Sequence, residues 1–353
     1  MTDTVLREKS DAGIPHARFD EGEVTLAAMS RRRFLVGGAA TAAGVCGVLG
    51  MPLHADGSKQ VPAAPDDMFN NLQTVKMLND GGRIYALSSR IDSISLSTVF
   101  VSPEGKILVV DGGHLDRGAD GRFLGDFLSK LGGHVDYWFI THAHEDHFGA
   151  LVTMAEHPGF YGVTIGELIY DFPDRKWMES LENDMVPHFK RFYACLDSGS
   201  LKNVKHGDCS PGRIVKFGSW SFEILNAPFL VKCNPINNAS VMISVQAGGK
   251  TWLETGDMGV EGGQAAMKKL GDRLKHDVVF LAHHGQNGVD KDFYSAVRPE
   301  AAIWPTTSWL WENNRNGRGP GSGPWRTNYV KCWMQDLGVA NNYVLVNKDY
   351  LFT

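Results

Sequence analysis

Residues 141–149 read Thr-His-Ala-His-Glu-Asp-His-Phe-Gly. Three histidines and two carboxylates fall within His142–His147, directly after the apolar run Val135–Ile140. Packing does not call for that composition. Imidazole and carboxylate are donors that suit Zn²⁺, Mn²⁺ or Fe. Alternate residues at a strand end point to one side, which groups His142 with His144. The turn that follows brings Asp146 and His147 to the same place. The spacing predicts a metal centre, and the chemistry such a centre supports is activation of water.

Four other short stretches carry residues of the same kind: Asp111-Gly112-Gly113, Asn237-Asn238-Ala239-Ser240-Val241, Thr255-Gly256-Asp257 and Ala282-His283-His284-Gly285. The elements around them must bring all five together. Strands are expected over 83–89, 96–101 and 107–110, the last two flanking the turn Pro103–Lys106. Phe123, Phe127, Leu128 and Leu131 have helical spacing, and a further helix begins at Phe148. A strand over 166–170 leads into 171–200, which reads as a helical insertion rich in aromatics. Residues 213–217 and 221–225 pair around Gly218, and 240–245 and 251–254 pair around Gly248-Gly249-Lys250. A helix over 264–270, strands over 277–282 and 301–304, a Trp-rich loop over 306–327, a helix over 330–337 and a strand over 343–346 complete the order. Strand hairpins followed by strand–helix pairs, twice over, predict two sheets face to face with helices outside: an α/β fold, the four-layer αββα sandwich.

His142-x-His144-x-Asp146-His147 resembles the signature of the metallo-β-lactamase superfamily, and the four further stretches match it in order. The last three are most similar to the branch that holds the soluble domain of bacterial DNA-uptake channels and certain phosphorylcholine esterases. The resemblance covers about residue 83 onward. It implies that His142 and His144 bind a first metal, Asp146 and His147 a second, that Asp257 bridges both, and that His284 completes the second site with His283 as the alternative. One or two Zn²⁺ are the implied cofactors, with Mn²⁺ or Fe as other candidates. Two close cations lower the pKa of a shared water, whose proton Asp146 or Asp257 accepts. Asp111 is expected to orient ligands rather than bind metal, and Asn238 and Ser240 to stand behind them. The superfamily's further histidine, between the signature and the bridging aspartate, has no counterpart: His157, His188 and His206 lie in that interval without a matching strand edge. The first site is therefore expected to be short of one protein ligand and open to substrate.

The implied activity is hydrolysis of phosphodiesters or related phosphoesters. Hydrolysis of a carboxylic ester, lactone or amide, or metal-dependent binding without catalysis, are the alternatives. The insertion and the Trp-rich loop are expected to line the cleft. Trp177, Trp309, Trp311 and Trp325 are candidates for stacking on a base or sugar or for enclosing a quaternary ammonium, and Arg326 for holding an anionic group. The net charge of −5 speaks against a stable nucleic-acid partner. Oligomeric state is not legible.

Ser30-Arg31-Arg32-Arg33-Phe34-Leu35 resembles a twin-arginine export signal, and an apolar Gly/Ala-rich stretch follows to about Leu53. Residues 1–55 are read as that signal region, 56–70 as a spacer and 71–353 as the hydrolase domain. The export machinery is then a partner, and the working compartment is periplasmic or extracellular, with an anchored form as the alternative. Beyond Cys46 in the signal, the cysteines are Cys195, Cys209, Cys233 and Cys332; none has metal-ligand spacing, and they are read as buried free thiols.

Overall fold

The computed structural model describes residue 62 and residues 64–353, and the export segment expected over 1–55 lies outside them, with Cys46. The first sheet takes β1 (Gln73–Val75), β2 (Arg83–Ala86), β3 (Ser97–Val101), β4 (Ile107–Asp111), β5 (His134–Phe139), β6 (Thr164–Ile169) and β7 (Lys205–His206). The second takes β8 (Ile214–Phe217), β9 (Trp220–Ile224), β10 (Ile243–Ala247), β11 (Lys250–Glu254), β12 (Val278–Phe280), β13 (Ala301–Trp304) and β14 (Asn341–Val344). The chain then returns to the first sheet as β15 (Tyr350–Phe352). The spatial orders are β1-β15-β2-β3-β4-β5-β6-β7 and β14-β13-β12-β11-β10-β9-β8.

Successive strand residues point to opposite faces, and both faces here are apolar. Phe100, Leu108, Val110 and Phe139 meet Phe222, Val245, Trp252 and Phe280 in a core between the sheets. Their neighbours Val99, Val109 and Trp138 turn the other way, onto Phe127, Leu151 and Phe192 of the outer helices. On the far side Leu253, Val279 and Ala302 pack on Phe293, Val330 and Met334. Helix, sheet, sheet and helix are thus stacked in four layers, the architecture expected from the order of elements. Both sheets mix an antiparallel part with a parallel one: β15-β2-β3-β4 and β8-β9-β10-β11 are antiparallel, whereas β1 pairs parallel to β15, β4 to β5 and β5 to β6, and β11 to β12 and β12 to β13. In parallel α/β sheets the carboxyl ends of the strands are where sites form. Here β4, β5, β11 and β12 deliver four of the five chemistry-bearing stretches, and Asn237–Val241 leads into β10.

The insertion consists of the helices Arg175–Leu181 and Val186–Asp197 joined by the turn Asn183–Met185. Asp174 opens it, its carboxylate accepting from Trp177 N at 3.1 Å. Met178, Phe189 and Phe192 bury its inner face.

Several expectations change. The Trp-rich stretch is not all loop: it holds the helix Ser308–Trp311 and the turn Arg315–Gly317. A single turn is too short to show a period. β1, β7 and β15 escape the sequence reading for the same reason, being two or three residues long. Phe69, at the end of the stretch read as a spacer, stacks on Tyr85 with centroids 5.7 Å apart. The four cysteines of the described residues are free, but only Cys195 and Cys209 are buried, whereas Cys233 and Cys332 are exposed. Among the described residues no helix is long and apolar enough to cross a membrane.

Candidate metal centre

β5 hands the chain to the site through Ile140, whose N–H still donates to Ile169 O at 2.9 Å. His144 is the extended residue before the helix Glu145–Glu156, at φ −103° and ψ 152°. Asp146 and His147 fall in that helix's first turn, where side chains lean back toward the N-terminus and so toward His142. β11 ends in Thr255-Gly256-Asp257. Thr255 Oγ1 donates to Phe280 O at 2.7 Å and Asp257 N donates to Ser240 Oγ at 3.1 Å, which fixes the turn. Gly256 has φ +53°, and a Cβ there would stand 2.8 Å from Thr141 Cβ. Only glycine allows the turns of the two sheets to come this close. After β12, His283 and His284 both adopt left-handed backbone, at φ 52° and 58°, a conformation uncommon outside glycine. The bond from His283 N to Gly256 O, 3.1 Å, holds the strained turn against Asp257.

These turns bring Asp146, His147, Asp257 and His284 into one group and His142, His144 and Asp257 into a second. Asp257 Oδ1 lies 3.2 Å from His147 Nε2. Its Oδ2 lies 3.3 Å from His284 Nε2 and 3.9 Å from His142 Nε2. Asp146 Oδ2 lies 2.9 Å from His284 Nε2. All but His144 are buried.

The protons decide what these contacts are. His147 Nδ1 lies 2.8 Å from Asp111 Oδ2, and the carboxylate can only accept, so Nδ1 carries the hydrogen. His284 Nδ1 donates to Pro305 O at 2.9 Å by the same reasoning. Thr141 Oγ1 donates to Asp111 and therefore accepts from His142 Nδ1, 3.0 Å away. His144 Nε2 donates to Glu182 Oε2 at 2.8 Å. Each neutral ring is left with a lone pair on its other nitrogen, and those four lone pairs face one another and two carboxylates. His142 Nε2 and His144 Nδ1 stand 3.1 Å apart with no hydrogen between them in these tautomers. His147 Nε2 and Asp257 Oδ1 are buried without a hydrogen-bond partner. Converging buried acceptors repel unless a cation lies among them, so the residues present fit one or two metal ions.

The titration behaviour shows the same demand for positive charge, which protons on His147 and His284 meet where no cation does. Burial alone would lower His147 and His284, but Asp257 and its neighbours outweigh it. They hold His147 well above the usual imidazole value and push His284 to about 9. Burial opposes the ionised forms of Asp146 and Asp257, yet the facing histidines keep both carboxyls below the usual range. His142 is pushed well below its usual value by burial and by the charge of His147, and stays a neutral donor.

Asp111 lies behind the ligands: it accepts from Thr141 N at 2.8 Å and from His147 Nδ1. Ser240 holds the Asp257 backbone. Asn238 is spent on Cys233 O, Glu261 and Gly262 N, tying its loop to the helix Val260–Leu270. His283 stands at the rim, Nε2 3.8 Å from Asp257 Oδ2. His157 stacks on Tyr161, His188 lies near Glu145 and His206 lies against Tyr170, so none of the three enters the groups. Trp309 and Trp325 meet with centroids 4.8 Å apart and line a cavity of about 530 Å³ with Glu312 and Asn314. Trp311 is not with them. Two residues on from Trp309 along a helix, it points elsewhere and packs edge-on against Trp304. Arg326 is paired with Asp290 at 2.6 Å and lies over the Trp333 ring. Trp177 packs partly buried on the first core.

Three participants were not foreseen. Thr141 and the Pro305 carbonyl set tautomers, and only Thr141 adjoins a recognisable motif. Glu182 is one acid among many in the insertion, and nothing local distinguishes it. A fourth buried acid, Glu254, lies beside Asp111; burial, and then the Asp111 charge, raise its carboxyl well above the usual value.

The family profile described as "Metallo-beta-lactamase superfamily" matches residues 91–298. ComE operon protein 3 of Bacillus subtilis (strain 168) is 25% identical over 214 residues, covering 56% of this chain and 25% of that protein. Competence protein ComA of Neisseria gonorrhoeae is 38% identical over 68 residues, covering 19% of this chain and 10% of that protein. The chain thus spans a quarter or less of the length of these curated relatives. Among solved structures, Igni18, a novel metallo hydrolase from Ignicoccus hospitalis, superposes with a TM-score of 0.43 at 15% identity, over 77% of this chain and 99% of that one. CmlA, a diiron beta-hydroxylase from Streptomyces venezuelae, does so with a TM-score of 0.43 at 11% identity, over 75% and 52%.

Proposed function

The chain belongs to the metallo-beta-lactamase superfamily, and on that footing we propose that this metal-dependent hydrolase acts on phosphodiesters or related phosphoesters. The observation that carries the reading is the unequal filling of the two groups. Asp146, His147, Asp257 and His284 surround one position with four side chains, and His142, His144 and Asp257 give the other only three. A phosphoester has free oxygens to complete the poorer position. When bound there, two cations supply an acidified water and neutralise charge that develops on phosphoryl oxygens.

The protein's own part is to hold and to receive. The Asp257 carboxylate reaches into both groups through its two oxygens. Asp146 and Asp257 stay ionised and are the carboxylates placed to take a proton from the attacking water. Asp111, Thr141 and Pro305 keep the ligand rings in the tautomers the site requires. The helical insertion, which reaches His144 through Glu182, is read as a wall that selects the substrate.

The test is turnover by the full chain loaded with Zn²⁺ or Mn²⁺, with bound metal counted by elemental analysis. Bis-p-nitrophenyl phosphate, p-nitrophenyl phosphorylcholine and single-stranded DNA stand against a lactone and nitrocefin. Hydrolysis of a phosphoester is expected; hydrolysis of the lactone or nitrocefin alone refutes the reading. The same reading has the protein exported by the twin-arginine machinery, supported by Ser30–Leu35. Substituting Arg31→Lys together with Arg32→Lys should then retain it in the cytoplasmic fraction, and unchanged export would remove that part.

A further inference from the structure

The ligand rings of the second group are fixed by the scaffold. His147 is held by Asp111 at the end of β4, and His284 by the Pro305 carbonyl just after β13. His144 is held differently. Its Nε2 donates to Glu182 Oε2 at 2.8 Å, and Glu182 belongs to neither sheet. It is the residue between the helix Arg175–Leu181 and the turn Asn183–Met185, the bend of the insertion. Its other oxygen accepts from Ile236 N at 3.3 Å, at the start of the Pro235–Asn238 turn. One carboxylate therefore joins three things: a ligand of the first group, the bend of the insertion, and the turn that leads to Ser240 and β10.

We propose that Glu182 couples occupancy of the first metal position to docking of the bend of the helical insertion, so that the bound ion and the docked bend strengthen each other. The inference rests on the reading of His142, His144 and Asp257 as a metal position. Hydrogen-bond inventory supplies the mechanism. A neutral imidazole has one N–H. Ligation through His144 Nδ1 requires that N–H on Nε2, where it faces Glu182. Ligation and the Glu182 bond thus demand the same tautomer, and each favours the other. Without the ion, His142 Nε2 faces His144 Nδ1 at 3.1 Å, and a hydrogen on Nδ1 would satisfy that contact at the expense of Glu182. Linkage makes the effect reciprocal: whatever factor Glu182 adds to ion affinity, the ion adds to docking of the insertion. Partners in this position are worth about 10–100-fold in metal affinity.

The test uses the full chain, stripped of metal and titrated with Zn²⁺ or Mn²⁺. Bound ions are counted, and backbone hydrogen exchange is followed over 175–197. In the wild type, filling the weaker position should slow exchange there. In Glu182→Gln the weaker ion should bind about 10–100-fold less tightly, the tighter ion as before, and exchange in the insertion should no longer respond to metal. Glu182→Asp, which keeps a carboxylate, should recover part of the response and guards against a purely steric effect of the amide. Two ions bound with wild-type affinity in Glu182→Gln, or an insertion whose exchange ignores metal in the wild type, would overturn the coupling alone. A wild type that takes up a single ion would overturn the coupling and the two-ion reading together.

Discussion

Replacing Asp111 by asparagine tests the tautomers of the site, because it keeps the side chain's size and shape while changing one acceptor to a donor and removing the carboxylate charge that faces His147 and Glu254. Asp111 is fully buried. Its Oδ1 accepts from Thr141 N at 2.8 Å, and its Oδ2 accepts from Thr141 Oγ1 at 2.9 Å and His147 Nδ1 at 2.8 Å. If Asn keeps its oxygen on Thr141 N, its NH₂ meets the His147 Nδ1–H. The ring then moves its hydrogen to Nε2, the atom that faces Asp257 Oδ1 at 3.2 Å, and cannot ligate. If the amide turns round, Thr141 N–H is left buried against a second donor. Either arrangement costs about 1–3 kcal/mol, the penalty for one unsatisfied buried group. At about 1.4 kcal/mol per tenfold, the tighter ion should bind roughly 5–150-fold more weakly. The assay is competition with a chromogenic chelator, with circular dichroism to verify the fold. Affinity for the tighter ion within threefold of wild type, in a folded variant, would refute the assigned tautomers and with them the case for converging lone pairs.

Three further outcomes follow from the same geometry. Asp257→Ala removes a donor from both groups and should abolish retention of two ions on desalting; two retained ions would show that Asp257 does not bridge. Stripping metal with a chelator should lower the unfolding temperature, since an ion present at a hundred times its Kd contributes about 2.7 kcal/mol; an unchanged unfolding curve would contradict a buried centre. Glu254→Gln should change the pH dependence of stability. The Glu254 carboxyl is raised in the fold above 4.5, so the folded chain keeps a proton that the unfolded chain releases. Its stability contribution is full below the unfolded value and falls as pH rises above it, by about 1.4 kcal/mol per pH unit until the folded value is reached. The glutamine variant lacks that loss and should gain on the wild type as pH rises above 4.5 in thermal unfolding; parallel pH profiles would refute the buried neutral acid.

The fold was legible where a pattern repeats. β3 and β4 were legible as apolar runs on either side of the turn Pro103–Lys106, but both of their faces are buried, so the side that Val99 or Phe100 takes was not. The helix Ala119–Lys130 shows its spacing in Phe123, Phe127 and Leu128, with Leu131 just past its end. β15 was not legible, because three residues near the chain end cannot show a period, and its partners β1 and β2 lie more than 250 positions earlier. Within the site, residues that must crowd together in the chain carried a visible signal, as in His142–His147. Asp257 and His284, far away in the chain, were legible only because their short turns resemble the family's, and residues outside any such turn were not legible. Glu182 reaches His144 across 38 positions and Pro305 reaches His284 across 21, and no local rule marks either. The Trp-rich stretch failed in a different way: composition marked it as aromatic, but helical geometry separated Trp311 from Trp309 and Trp325.

The two groups differ in what would be left behind if a ligand were lost. His284 is wholly buried between Asp146 and Asp257, and its removal strands two carboxylates that it holds ionised. Breaking a buried pair in this way costs about 3–5 kcal/mol. His144 keeps 14% of its side chain exposed and its partner Glu182 keeps 20%, so water can replace what either loses. His284→Ala should therefore lose the tighter ion and several degrees of thermal stability, whereas His144→Ala should lose only the weaker ion and unfold near the wild-type temperature. Ion counting and thermal unfolding on the two variants side by side decide it. A His144→Ala protein less stable than His284→Ala would place the structural weight on the open group, and would contradict a scaffold that builds one position into its sheets and leaves the other to the insertion.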